Sequence, residues 1–161
     1  MMQRLLPVAV VLLTACAGTD PSVGTRTADL DLPRFDDYPP FEEIAPEAIA
    51  VEFDSHAEAS RYRTVLRAAA EAGRDFAGHL AVAEWGCGTN CQRYAFIDAR
   101  DGRVIFGPTA SHGAAYRADS RLFVVNPVAN LPVTSPAGEV TVETEYWLWN
   151  GEALERIAVP G

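Results

Sequence analysis

Apolar and polar side chains alternate most regularly near the C-terminal end, over residues 140–149. This period of two predicts a strand with two chemically different faces. The first set is mainly apolar and the second is polar with two tryptophans: Val140, Val142, Thr144, Tyr146 and Leu148, then Thr141, Glu143, Glu145, Trp147 and Trp149. Asn150-Gly151 is typical of a tight hairpin turn. We expect the chain to return over residues 152–159, with Glu145 opposite Arg156 and Trp147 opposite Leu154.

A helical period occupies residues 56–72, where apolar side chains recur every three or four positions. Ser55 and Glu58 have the spacing of a capping box, which predicts that the helix begins directly after Ser55. Gly73 is well placed to end it, because glycine tolerates the left-handed backbone of a helix C-terminus.

Four more apolar segments separated by turn residues predict further strands, at residues 79–85, 93–97, 103–106 and 121–125. The second and third flank residues 98–102, Asp-Ala-Arg-Asp-Gly, which predict a tight hairpin with Gly102 at a left-handed position. The pattern therefore predicts an α+β domain, with one N-terminal amphipathic helix packed on a mostly antiparallel sheet of about six strands.

The first sixteen residues have the pattern of an export signal. A charged start, a short apolar run and a small-residue ending indicate a signal peptide over residues 1–15. The apolar run is about half the roughly 20 residues that a membrane-spanning helix needs. Leu13-Thr14-Ala15-Cys16 resembles the bacterial lipobox, which implies cleavage before Cys16, acylation of that residue and anchoring to a membrane. Ala17 after Cys16 implies the outer membrane, facing the periplasm.

Composition divides the remaining chain into two parts. Residues 16–46 are acidic and rich in proline, without helical or strand period, and are predicted to be a tether whose second half could dock on the domain. Residues 47–161 are enough for a single globular domain. Removing Arg4 with the signal brings the net charge of −9 to about −10. No basic patch is present in the sequence, so we expect no nucleic-acid partner.

Cys87 and Cys91 remain once Cys16 is assigned to lipid. In an oxidising compartment such a pair is expected to form a disulfide, here in a glycine-rich turn. The simplest interpretation is a structural disulfide that stabilises the turn. The alternatives are a redox pair, or a cysteine nucleophile aided by His79 or His112. The three histidines are scattered without any zinc spacing, and no phosphate-binding loop is present, so we expect no metal or cofactor.

Two tryptophans on the polar face of the last long strand allow two interpretations. The face that carries Trp147 and Trp149 is either covered by the helix or the tether, or it is an exposed apolar patch of the kind that binds partners. Trp85, directly before the cysteine turn, is a further candidate binding residue.

The residues Trp85-Gly86-Cys87-Gly88-Thr89-x-Cys91, with the turn at residues 97–102 and the final Asn-Gly hairpin, resemble a group of small exported bacterial proteins and lipoproteins without assigned activity. The resemblance covers about residues 76–151 and implies a compartment but no catalytic residue. We therefore expect a non-enzymatic envelope lipoprotein that binds an envelope protein or a cell-wall partner. The alternative is an envelope enzyme that uses the Cys87/Cys91 loop for thiol–disulfide exchange or for hydrolysis with a cysteine nucleophile.

Overall fold

The computed structural model describes residues 32–43, 48–132 and 142–159. The predicted signal peptide, Cys16 and the first half of the predicted tether lie outside these ranges, as do Val140 and Thr141 of the predicted strand. In the described part of the chain, no helix is both long and apolar enough to cross a bilayer.

The strands of the described residues form two antiparallel sheets. The first has the order β1-β2-β3 and the second β4-β5-β6-β7. The elements, in chain order, are α1 (Arg63–Ala72), β1 (Leu80–Gly88), β2 (Cys91–Asp98), β3 (Val104–Ala110), β4 (Ala114–Ala115), β5 (Leu122–Val125), β6 (Glu145–Trp149) and β7 (Leu154–Ile157). The α+β class with mostly antiparallel strands is confirmed, and the expectation of one sheet of about six strands is wrong.

Both faces of each sheet carry apolar side chains, which is why the domain is layered. The inner faces of the two sheets meet in one core, where the rings of Phe96 and Phe123 lie 5.3 Å apart. The outer face of the first sheet packs under α1, through residues such as Ala83 and Leu66. The outer face of the second sheet packs against Phe35 and other residues of the N-terminal segment. If the same strands formed a single sheet, both of its faces would need to be covered by other elements along the whole width of the sheet.

The helix begins later than the capping box predicts. Ser55 Oγ accepts a hydrogen bond from the Val104 N–H at 2.9 Å, so it ties the chain to β3 and does not cap a helix. Glu58 pairs with Arg93 and does not reach back. Helical structure runs from a short 3-10 segment at Ala59–Tyr62 into α1. The predicted C-terminus is confirmed, because Gly73 has φ +96° and its N–H donates to the Ala69 carbonyl oxygen at 3.1 Å.

The two predicted hairpins have different outcomes. The turn at residues 98–102 is confirmed, with Gly102 at φ +76°. In the C-terminal hairpin, Trp147 pairs with Arg156 and Trp149 with Leu154, so the predicted register is wrong by two residues. The loop has four residues, because Asn150 Oδ1 accepts the N–H groups of both Glu152 and Ala153 at 2.9 Å. A shift of two keeps every side chain on its predicted face.

Residues 32–43, here called the strap, lie across the outer face of the second sheet. Ser120 Oγ is hydrogen-bonded to the Phe35 and Tyr38 carbonyl oxygens at 2.8 and 3.2 Å. The Arg121 N–H donates to the Tyr38 carbonyl oxygen at 2.8 Å, and its guanidinium lies 3.8 Å from the Phe41 ring centre. The predicted boundary at residue 46 falls within residues 44–47, which lie outside the described ranges.

Candidate functional site

The predicted disulfide between Cys87 and Cys91 is present, with Cα atoms 5.1 Å apart, and it closes the tip of the β1–β2 hairpin. Gly86 pairs with Gln92 and Gly88 with Cys91, so Cys87 is an extra residue that has no partner in β2. A bulge of this kind redirects the side chain of the extra residue. Here it turns Cys87 toward Cys91, and Cys87 itself is exposed to solvent.

An aromatic cluster lies beside the hairpin on the face covered by α1. The Trp85 ring is 4.4 Å from the Tyr62 ring and 5.8 Å, edge to face, from the Phe106 ring. The His56 ring lies 4.3 Å from Phe106 and extends the cluster. The four rings come from the chain before α1, from β1 and from β3, and all are half-buried. The cluster therefore holds Trp85 in one orientation while leaving part of it accessible.

Arg93 lies over three of these rings, with its guanidinium carbon 5.4 to 5.6 Å from the ring centres of Tyr62, Trp85 and Phe106. It donates to Glu58 Oε2 and to the Tyr62 hydroxyl, each at 3.1 Å. The hydrogen bond to Glu58 raises the pKa of Arg93 above its ordinary value. The cluster thus has its own cation, held in place by an acidic side chain.

An open groove of about 730 Å³ runs along the end of the hairpin. It is lined by the second half of β1, the disulfide turn, the start of β2 and the residue after β3. These residues are Glu84, Trp85, Gly86, Gly88, Asn90, Cys91, Gln92 and Ser111. Gln92 Oε1 is buried and has no hydrogen-bond partner within the described residues. The groove brings free polar groups next to a rigid turn and an anchored tryptophan, and this combination makes it the candidate binding surface.

Two tyrosine hydroxyls lie close to Glu84, on the inner side of the first sheet. Burial, with a contribution from the negative charge of Glu84, raises the pKa of Tyr94 far above its ordinary value. The same causes, with Asp75 in addition, raise the pKa of Tyr116 to about 12. Both phenols therefore stay neutral near pH 7.

Neither tryptophan of β6 lines this groove. Trp149 has 0% exposure and belongs to the core between the sheets, so it cannot take part in a binding surface in this structure. Trp147 is half-buried against the same core, and its Nε1–H donates to Glu145 Oε2 at 2.9 Å. The face that carries them is covered by the first sheet, where the sequence suggested the helix or the tether. Of the three candidate tryptophans, Trp85 is the one that the structure places at the groove.

The histidines considered as partners of the cysteines have separate positions. His79 directly precedes β1, whereas Cys87 lies near the other end of that strand. The two residues are therefore about 26 Å apart along the extended chain. It is buried, and neither ring nitrogen has a partner in the described ranges. His112 follows the groove residue Ser111, and both of their backbone N–H groups donate to Asn126 Oδ1 at 2.8 Å.

No cluster of three or more potential metal ligands occurs in residues 32–43, 48–132 and 142–159. A larger groove of about 910 Å³ lies between the end of α1 and residues 48–53.

Sequence analysis missed Arg93, Tyr62 and Phe106 as parts of the site. Arg93 could have been found, because the cysteine turn sets the hairpin register and so places it opposite Trp85. The other two come from different elements, and no local pattern joins them to Trp85. Compared with protein-family models, with curated proteins and with solved structures, the chain gives no match.

Proposed function

We propose that the chain is a lipid-anchored protein of the bacterial envelope that binds a partner through the groove at the disulfide end of the β1–β2 hairpin. The lipobox resemblance at Leu13-Thr14-Ala15-Cys16 supports the anchor, with the outer membrane as its site. A disulfide supports an oxidising compartment such as the periplasm. The partner is an envelope protein or a cell-wall component.

The observation that carries the binding proposal is that Trp85 lines the groove while its ring is held in place by neighbouring side chains. Tyr62, Phe106 and the Arg93–Glu58 pair restrain its ring, while the disulfide restrains the turn beside it. Binding to a side chain that is already ordered costs less conformational entropy than binding to a mobile one. Tryptophan and arginine also contribute strongly to binding energies.

Photocrosslinking in cells that produce the protein tests this proposal. A photoreactive amino acid at Thr89, the exposed tip of the hairpin, should give a discrete crosslinked product, and Trp85→Ala should abolish that product. The same amino acid at Thr64, exposed on α1, is the matched control and should give none. A product of equal yield from both positions contradicts a site at the groove.

The anchor has its own test. Cys16→Ala should move the protein from the membrane fraction to the soluble fraction and abolish incorporation of labelled palmitate. Retention in the membrane fraction by the Cys16→Ala variant contradicts anchoring through this residue.

Thiol–disulfide exchange is a second candidate function, favoured by the exposure of Cys87. Exposed disulfides are more readily reduced than buried ones, whereas structural disulfides of secreted proteins have potentials below about −300 mV. Equilibration of the pair with thiol buffers measures this property. A potential near −200 mV supports exchange, and one below about −300 mV supports a structural disulfide.

A further inference from the structure

The outer edge of β1 is capped over its first half by the chain itself. Strand β1 is an edge strand of the first sheet, paired on one side with β2. On the other side, the Leu80 N–H donates to the Phe76 carbonyl oxygen at 2.9 Å. The Val82 N–H donates to Asp75 Oδ1, also at 2.9 Å. These two contacts occupy the edge that points away from β2.

In an antiparallel strand, the backbone N–H and C=O groups of successive residues point to opposite sides, which shows what lies farther along this edge. Because the N–H groups of residues 80 and 82 point outward, those of Glu84 and Gly86 do the same, together with their carbonyl groups. Residues 81, 83 and 85 direct theirs to β2, consistent with the regular register from Leu80 to Gly86. In the described part of the chain, no backbone group pairs with the outward groups of Glu84 and Gly86.

This second half of the edge is accessible and lies along the groove. Glu84 and Gly86 are both exposed, and both line the groove. A Cβ atom added at Gly86 would meet no other atom within 4 Å. A glycine inside an edge strand leaves room for another backbone to approach closely. The opposite edge of the same sheet, β3, carries Pro108, which cannot donate to an added strand.

The acidic side chains along this edge favour an added strand that carries basic side chains. Glu84 is exposed and forms no ion pair in the described ranges, with Asp75 next to it along the edge. A second copy of this acidic chain would bring another Glu84 to the same edge, so like charges disfavour pairing of the domain with itself. A peptide with basic side chains would place a cation against Glu84.

We propose that the partner is an extended basic peptide segment, which adds as a strand to the outer edge of β1 at Glu84 and Gly86 and places a side chain in the groove beside Trp85. This deepens the proposed function and rests on it. The backbone of Glu84 and Gly86 provides up to four hydrogen bonds to such a strand, and the groove provides the side-chain contact.

Amide hydrogen exchange, followed by NMR, tests the proposal without any substitution in the edge. The sample is the full mature chain with Cys16→Ser, which removes only the lipid. The probe is an acetylated, amidated (Lys-Val)₄ peptide. We expect the amide protons of Glu84 and Gly86 to exchange at least about tenfold more slowly with the peptide, as for a newly formed hydrogen bond. Those of Ala83 and Trp85, paired with β2, should be protected with or without it.

Two peptide controls separate strand addition from attraction by charge. A (Lys-Val)₄ peptide with alternate N-methylated backbone nitrogens keeps its charge but cannot pair along that edge, and should give no protection. A (Glu-Val)₄ peptide can pair but is repelled by Glu84, and should also give none. Protection by the N-methylated peptide overturns the proposal.

Matched variants test the donor itself. Gly86→Pro removes the outward N–H without removing a bond to β2, and should weaken peptide binding by about tenfold. Gly86→Ala keeps the N–H and should bind as the parent does. If Gly86→Pro does not fold, judged by circular dichroism, the exchange experiment on the parent chain decides. Equal binding by folded Gly86→Pro and Gly86→Ala overturns the proposal.

Other occupants of the site give distinct results. Protection of Glu84 and Gly86 without peptide, in a chain that sediments as a dimer, overturns the proposal in favour of a second copy. Quenching of tryptophan fluorescence by chitotetraose that Trp85→Phe abolishes, without protection of these amides, overturns it too, while leaving the groove as the binding site. Absence of the Thr89 crosslink together with absence of protection removes the proposed function as well.

Discussion

Asp98 Oδ2 lies 2.6 Å from Arg100 Nη2, and the aspartate has no exposed side-chain surface. Arg100 also donates to the Gly151 carbonyl oxygen at 2.9 Å and to Glu42 at 3.3 Å. This one guanidinium therefore joins the β2–β3 turn, the β6–β7 hairpin and the strap. Burial alone would raise the pKa of Asp98, but the hydrogen bonds from Arg100 outweigh it and lower that pKa below its ordinary value.

Arg100→Leu should lower the free energy of unfolding by about 2–3 kcal/mol, because it leaves the Asp98 carboxylate buried without its main partner. The loss stays below that for a fully buried pair, since Arg100 is 35% exposed and Arg103 lies 3.8 Å from the same carboxylate. Urea denaturation measures it. Arg117→Leu is the control: its ion pairs with Asp119 and with Asp36 of the strap are exposed to solvent, so its loss should be clearly smaller than that of Arg100→Leu. Equal losses for both variants contradict this explanation.

His79 predicts a dependence of stability on pH. Burial lowers its pKa below the ordinary 6.5; Asp98 and Glu42 oppose the shift, while Arg100 adds to it. The unfolded chain then binds a proton more readily than the folded one. Stability from this group is complete above the unfolded pKa and decreases as pH falls from about 7 through the folded pKa. Denaturation between pH 7 and 5 should show this decrease, and His79→Gln should flatten it.

Trp149→Phe is a suitable control for the pH experiment, since the indole ring lies 5.9 Å from the His79 ring and does not titrate. It should lower stability similarly at every pH and keep the slope of the parent. A slope that persists in His79→Gln assigns the pH dependence to another group.

Replacement of Cys87 and Cys91 by serine should lower the free energy of unfolding by about 2 kcal/mol, the chain-entropy value for a loop of five residues. The fold should persist, because β1 and β2 remain paired along their length. Urea denaturation of oxidised parent and double variant measures the difference. Complete unfolding of the double variant contradicts the expectation that the disulfide acts locally.

Trp149→Ala should destabilise the domain by about 3–5 kcal/mol, the usual range for removing a large aromatic side chain from a core. Trp85→Ala should cost less, because that ring is half-buried at the edge of its cluster. Thermal denaturation of both variants distinguishes the two positions. A smaller loss for Trp149→Ala than for Trp85→Ala contradicts the assignment of Trp149 to the core and Trp85 to the surface.

Local sequence was sufficient for features whose physical cause is local. The left-handed residues Gly73 and Gly102 marked the end of the helix and the tip of a hairpin, and both are where expected. The disulfide was predicted because the export pattern places Cys87 and Cys91 in an oxidising compartment, and the pair is bonded as expected. The helix start failed for a non-local reason, since the Ser55 hydroxyl that resembled a cap bonds to Val104, 49 residues away.

The candidate site was predictable only in part. Trp85 and the cysteine turn were visible in the sequence, because they are consecutive in one hairpin. Tyr62 and Phe106 join them only when the segment before α1 packs across the first sheet. The groove exists because β3 ends beside this hairpin and brings Ser111 to it.

The sequence by itself determined the approximate positions of most strands, the turn at residues 98–102, the disulfide and the set of residues that share each strand face. The strands, the turn and the shared faces follow from backbone preference and a period of two. Tertiary structure alone decided that the strands divide into two sheets and that Trp149 is buried between them. It also decided that the strap covers the outer face of the second sheet. The reason is that alternation shows which side chains lie together on a face, whereas packing between distant segments determines what that face contacts.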